Sequence, residues 1–258
     1  MSPLLDAAAN TETAAVHRFS SVVDLDSGAK TAVHVARYAR QEYTPRVVSF
    51  EKETCLIDWC EAYGISEALV GGFFWRPSHK ALGDVWINGE AQPSEAFVEP
   101  YHKVRGSLHI DALGDLAIGP RHLFANKPAG DLLQAGPLLV ANGANQITEN
   151  LDHEGFSIAS QQFDSDITIG RHPRAAIGLD DKHIWSIVCD GRRPEDTGLS
   201  LAELADVMMS LGATSALNLD GGGSASQVSG GRLRNHARGD GQEYLRGRPI
   251  YTAIAFVC

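Results

Sequence analysis

The segment Ala216-Leu-Asn218-Leu-Asp220-Gly221-Gly222-Gly223-Ser224 decides how the rest of the chain is read. Its first half is a short apolar run of the kind a buried strand carries, and three glycines then stop it. Glycines at a strand end let the backbone turn sharply, aim successive N–H groups at one point and let a bound molecule touch the main chain. Asp220 stands at the rim of that hollow. A tight bend with a solvated aspartate satisfies the same spacing. A Walker A loop does not, because no Lys-Ser/Thr pair follows at the required distance.

Working outward, Ser200-Leu-Ala-Glu203 is a capping box that opens a helix with Leu201, Leu204, Ala205, Met208 and Leu211 on one face and Gly212 at its end. Ala175–Leu179 and Ile184–Cys189 form a hairpin that ends on Asp190-Gly191-Arg192. Gly230-Gly231 turns another hairpin, and Pro249–Val257 is a last strand. Nearer the start, the runs around Asp26-Ser27-Gly28 pair as a hairpin, and Asn88-Gly89 and Asn142-Gly143 mark tight turns. Leu56, Trp59, Cys60 and Tyr63 fall at helical spacing, with Gly64 to end the helix. Residues 144–170 are polar and weakly periodic, which predicts a long surface loop suited to a lid. Many strands, two helices, no repeat and no linker predict one α+β domain over 18–258, with a mixed, strand-rich sheet core and two main helices. A disordered arm is expected over 1–17.

A chain of 258 residues buries a core without help from disulfides or metals. Its 22 Lys+Arg against 32 Asp+Glu give a net charge of -10, a field that repels phosphate backbones and anionic lipid. Nucleic acid and membrane are therefore not expected as partners, whereas a small anion can still be held by local arginines. No apolar run is long enough to span a bilayer, and the first residues lack a signal peptide's basic flank and apolar stretch. A soluble, cytoplasmic protein is the expectation. Cys55, Cys60, Cys189 and Cys258 form no CxxC pair and read as reduced, small core residues. No HExxH or Cys/His spacing appears, so neither a metal nor another cofactor is expected.

Asp190 places a second carboxylate at the sheet edge where Asp220 stands, and such a pair suits acid/base work or attack at an anomeric carbon. Arg192 adds a guanidinium shaped for phosphate, although Asp-Gly is also common in ordinary turns. Arg171-His172-Pro173-Arg174 concentrates positive charge, as a phosphate clamp or as a solvated loop, with His172 a general acid or a structural residue. Gly71-Gly72 interrupts an apolar run where a backbone or a ligand must come close. Phe73, Phe74 and Trp75 then offer a sugar-stacking platform or simply core.

Taken in order, Gly71-Gly-Phe-Phe74, Gly136-Pro-Leu-Leu-Val-Ala-Asn-Gly143, His172-Pro-Arg-Ala-Ala-Ile-Gly178, Asp190-Gly-Arg192, Gly198-Leu-Ser-Leu-Ala-Glu-Leu-Ala205, Leu211-Gly-Ala213 and Ala216 to Ser224 resemble the phosphodiester glycosidase family. The resemblance runs from about Val22 to Val257. It implies C–O cleavage of a glycosyl phosphodiester, a small molecule or an oligosaccharide, releasing the sugar and a phosphomonoester, with a place in carbohydrate or exopolysaccharide metabolism. Carried over by position, it implies Asp190 and Asp220 as catalytic carboxylates. The implied cleft is lined by Gly71, Gly72, Phe73, Arg174, Arg192, Asn218, Gly221, Gly222, Gly223 and Ser224. Because a phosphodiester leaves readily, such chemistry needs charge stabilisation at phosphate and a carboxylate near the anomeric carbon more than a strong acid. Two features depart from the family: Val70 stands where members often carry Asn, and members are commonly exported. Two other readings are kept: a metal-assisted phosphodiesterase that cuts P–O with an ion on Asp190 and Asp220, and a polysaccharide-binding protein without turnover.

Overall fold

The hairpin of Arg174–Leu179 and His183–Cys189 lies at the middle of a seven-stranded sheet. A computed structural model describes residues 16–148, 151–157, 167–239 and 241–258. From edge to edge the sheet runs Val16–Asp24, Lys30–Ala39, His183–Cys189, Arg174–Leu179, Ser215–Asn218, Leu138–Ala141 and Ala144–Asn145. Successive side chains point to opposite faces of a strand, and here both faces are covered. Ala175, Ile177 and Leu179 enter one core and Ala176 the other, and Ile184 and Val188 alternate in the same way with Trp185, Ile187 and Cys189. Burial on both faces is the reason these strands read as continuous apolar runs.

One face packs under helix α2, Leu201–Ser210, through Leu204, Ala205 and Met208. The other meets two five-stranded sheets. One of these holds Gly106–Ile110 and Asp131–Gln134, and the other holds Glu67–Val70, Ile250–Val257 and Gln227–Ser229. Helix α1, Leu56–Tyr63, adds Leu56, Ile57 and Cys60 to this core, and Gly64 ends it at φ 68°. The Ser200/Glu203 capping box is present in both directions. These two are the α-helices among the described residues.

Three expectations change. The main sheets are antiparallel, not mixed; among the described residues the parallel pair is Lys80–Leu82 with Ser94–Glu95. Antiparallel pairing follows from the short hairpin turns, which reverse the chain without a crossover. The expected arm falls, up to residue 15, outside the described residues, while Val16 and His17 already pair with Tyr38 and Arg37. Within 144–170, residues 149–150 and 158–166 lie outside the described residues, but Glu154 and Phe156 are buried rather than on a surface loop.

Candidate functional site

Strand register brings the predicted motifs to one end of the molecule. Arg174 pairs with Cys189, and Ala176 with Asn218, so loops 171–173, 190–192 and 219–224 leave the large sheet together. The Asp220 N–H donates to Gly71 O at 3.0 Å, which joins the exit of Glu67–Val70 to them. Arg248 reaches the same place at the entry to Ile250–Val257.

Asp220 is a buried carboxylate of this cluster. Its Oδ1 accepts the Gly221 N–H at 2.9 Å, while its Oδ2 is buried and accepts from no group among the described residues. Arg248 Nη2 lies 4.0 Å from that Oδ2. The Arg248 Nε donates to Ser224 Oγ at 3.0 Å, and its guanidinium lies 5.5 Å from the Phe74 ring centre. Phe74 in turn meets Tyr251 at 5.3 Å. Burial pushes the Asp220 carboxyl above the usual carboxylate range, against the opposing pulls of Arg248, the neighbouring Ser224 hydroxyl, the Gly221 N–H and Arg76. Arg248, Arg76 and Tyr251 escaped the sequence reading. The available signal was an Arg-Pro pair at the mouth of the last strand.

The glycine loop works differently from the expected row of converging N–H groups. Gly221 N–H is taken by Asp220, Gly222 N–H donates to Pro173 O at 2.8 Å, and Ser224 N–H donates to Gly221 O. What the loop needs from glycine is proximity. A side chain at Gly222, where φ is +57°, would start 3.3 Å from Arg192 Nη1, and one at Gly223 would start 3.2 Å from Tyr244. The Arg192 guanidinium therefore lies against the loop, with Nη1 directed to Arg238 O at 3.4 Å. Gly71 and Gly72 are likewise close approaches to protein backbone, against Thr252 and Gln134 O at 2.8 Å.

The remaining predicted residues separate. Asp190 is buried, with Oδ1 accepting the His236 N–H at 2.6 Å and Oδ2 3.3 Å from His34 Nε2, so both its oxygens have partners. Asn218 Nδ2 donates to Gly136 O at 2.8 Å, and its Oδ1 is buried without a partner among the described residues. Arg174, expected to grip phosphate, is buried and donates to the carbonyls of Leu199, Ile167 and Gly170, and its stem passes beneath Gly221. Arg171 forms a fork with Glu203, at 2.5 to 3.1 Å. His172 lies with Nε2 2.9 Å from Ile169 O and Nδ1 3.5 Å from Arg192 Nη2. Phe73 is buried with Phe97 and Phe156, leaving Phe74 as the ring that reaches the site. A separate cleft of about 1010 Å³, lined by Leu138, Thr148, Asp152, Glu154, Ser200 and Leu201 among others, includes none of Asp190, Asp220, Arg192 or Arg248. The described residues contain no group of three or more His, Cys, Asp or Glu placed to hold a metal.

Comparison with known proteins adds to this geometry. The family profile described as phosphodiester glycosidase matches residues 63–257. The chain is 27% identical over 177 residues to N-acetylglucosamine-1-phosphodiester alpha-N-acetylglucosaminidase of Bos taurus, covering 67% of this chain and 33% of that protein. For the Homo sapiens protein of the same name the identity is 28% over 170 residues, covering 64% and 32%. The chain thus spans about a third of the length of these relatives. Among solved structures, the zebrafish catalytic domain of that name, auto-inhibited by its pro-peptide, superposes with a TM-score of 0.73 at 17% identity, covering 96% of this chain and 85% of that one. A hypothetical protein from Synechocystis gives a TM-score of 0.64 at 18% identity, covering 94% and 62%. Both structural likenesses speak for the fold.

Proposed function

This chain belongs to the phosphodiester glycosidase family, and on that premise we propose that it hydrolyses the bond between a sugar's anomeric carbon and a phosphodiester oxygen. The observation that carries the reading is the Asp220 Oδ2, buried and without a hydrogen-bond partner among the described residues, with the Arg248 guanidinium 4.0 Å away. A buried polar atom left unsatisfied costs about 1–3 kcal/mol, a cost folds accept mostly where the atom has work to do.

In this reading Asp220 faces the anomeric carbon, either attacking it or drawing a proton from water. The C–O bond breaks with its electron pair going to the phosphate oxygen. Water supplies the oxygen that ends on the sugar, and its proton balances the products. Arg248 favours the ionised form of Asp220 and, with Arg192, meets the charge growing on phosphate. Phe74 and Tyr251 form the apolar wall against which a sugar ring packs. Asp190, with both oxygens engaged, holds loop 234–238 in place rather than reacting. Arg174 and the glycines pack beneath the loop that carries Asp220.

The names of the curated relatives make α-linked N-acetylglucosamine 1-phosphodiesters the first substrates to try. Against a panel of glycosyl phosphodiesters, wild type is expected to release free sugar, and Asp220→Asn to lower kcat by about 10³-fold or more. An Asp220→Asn variant within about tenfold of wild type would refute the assignment.

A further inference from the structure

We propose that Glu154 is the positioning residue of this site, a carboxylate whose state of protonation is transmitted to Asn218 and to the backbone around Asp220. The proposal rests on the reading of Asp220 given above.

Glu154 is 8% exposed and reaches the site through the segment it holds, Gly136–Leu138. Its Oε1 accepts the Leu138 N–H at 2.6 Å and its Oε2 accepts the Gly106 N–H at 2.7 Å. A side chain at Gly136, where φ is +129°, would start 2.7 Å from the same Oε2. The segment Gly136–Leu138 that Glu154 grips on one side is held on the other by Asn218. Gly136 N–H donates to Asn218 O at 3.0 Å, Asn218 N–H to Pro137 O at 3.1 Å, and Asn218 Nδ2 to Gly136 O at 2.8 Å. Asn218 is two residues before Asp220.

A second route starts two residues further along. Phe156 packs with Phe73 at 5.8 Å and with Phe97 at 6.2 Å, and Phe73 lies two residues after the Gly71 whose carbonyl accepts the Asp220 N–H. The Arg105 guanidinium lies 4.2 Å from both the Phe97 and the Phe156 rings and donates to the carbonyls of Glu154 and Gly155. Both supports of Asp220, its own strand and its backbone partner, thus lead back to residues 154–156.

Burial drives the Glu154 carboxyl up to about 7, although the Leu138 and Gly106 amides and Arg105 pull it down. The groups facing it are Arg105, which remains cationic with a pKa of about 10, Asp152 on its own segment, and the two amides; Tyr101 lies behind Arg105. Ionised, the carboxylate accepts two N–H bonds with full charge. Protonated, it sets an O–H where an amide points and weakens one of them. The linkage has the opposite sense for stability. A carboxyl with a raised pKa favours the folded chain most below its ordinary value of 4.5, and this contribution is lost as pH rises through about 7. The chain accepts a cost in stability for a firmer brace.

The test is a carbon-13 titration of glutamate carboxyls in the wild-type full chain, with the Leu138, Gly106 and Asn218 amide resonances followed together. The expected result is a Glu154 midpoint near 7, shared by the Asn218 side-chain amide. E154Q, neutral at every pH, should lose that transition; in turnover it should also lose a several-fold decline of kcat below about pH 7, with KM unmoved. An Asn218 amide that stays flat while Glu154 titrates, or a Glu154 midpoint near 4.5, overturns the proposal. Because the titration needs neither turnover nor the variant, it stands if E154Q does not fold. A protein that cleaves no glycosyl phosphodiester would sink the functional reading without touching this measurement.

Discussion

Asp220 and Arg248 carry opposite charges 4.0 Å apart in a setting from which water is largely removed. In the proposed reaction their interaction would set the pH range in which Asp220 is ionised. Burial raises the carboxyl and Arg248 opposes that rise, so Arg248→Leu removes the largest downward pull. The acid limb of the pH–rate profile should then move to higher pH; a limb that stays in place would show that Arg248 does not face the reacting carboxylate. At this scale the sequence showed which residue types were present but not which atoms they meet. The charge in Arg171-His172-Pro173-Arg174 was legible, yet Arg174 ends on three carbonyls and Arg171 on Glu203, because nearby loops left acceptors that only the folded chain reveals. Arg248 was missed for the complementary reason: its partners Ser224 and Asp220 are brought to it by strand pairing across distant parts of the chain.

Local elements were read more faithfully because their determinants lie within a few residues. Asn88 and Asn142 adopt φ of 52° and 51°, followed by Gly89 and Gly143, which is the conformation two-residue hairpins require. The Ser200 hydroxyl takes the Glu203 N–H at 3.2 Å and Glu203 returns to the Ser200 N–H at 2.8 Å. Ser200→Ala should therefore cost about 1 kcal/mol in urea unfolding, with kcat unchanged. A loss well below half that value would mean the Arg171–Glu203 fork alone holds the start of α2. Segment 144–170 was misread because its polar surface pattern hides Glu154, Phe156 and Ile167, which are buried.

Across the molecule, joining the large sheet to the smaller ones is the task of buried polar groups as well as apolar area. Glu67, 1% exposed, accepts from Tyr38 Oη at 2.9 Å, Ser229 Oγ at 2.7 Å, Gly230 N–H at 2.7 Å and Arg18 Nη2 at 2.5 Å. Arg18 and Tyr38 belong to the seven-stranded sheet, while Glu67 and Ser229 belong to a five-stranded one. Glu67→Ala would strand these donors in the interior and should destabilise the chain by about 3 kcal/mol; a change under about 1 kcal/mol would mean water replaces the carboxylate there. Such long-range junctions, like the division into three main antiparallel sheets, could not be read from local pattern, since strands buried on both faces read as similar apolar runs whichever sheet they join. The ordered motifs nevertheless fixed the family, and that family's expected chemistry meets its most direct test in the oxygen of water. Hydrolysis of a glycosyl phosphodiester in oxygen-18 water should place the label on the anomeric hydroxyl of the released sugar and none on the phosphomonoester. Label on the phosphate would mean that the P–O bond breaks, and Asp220 could not then have the role given to it.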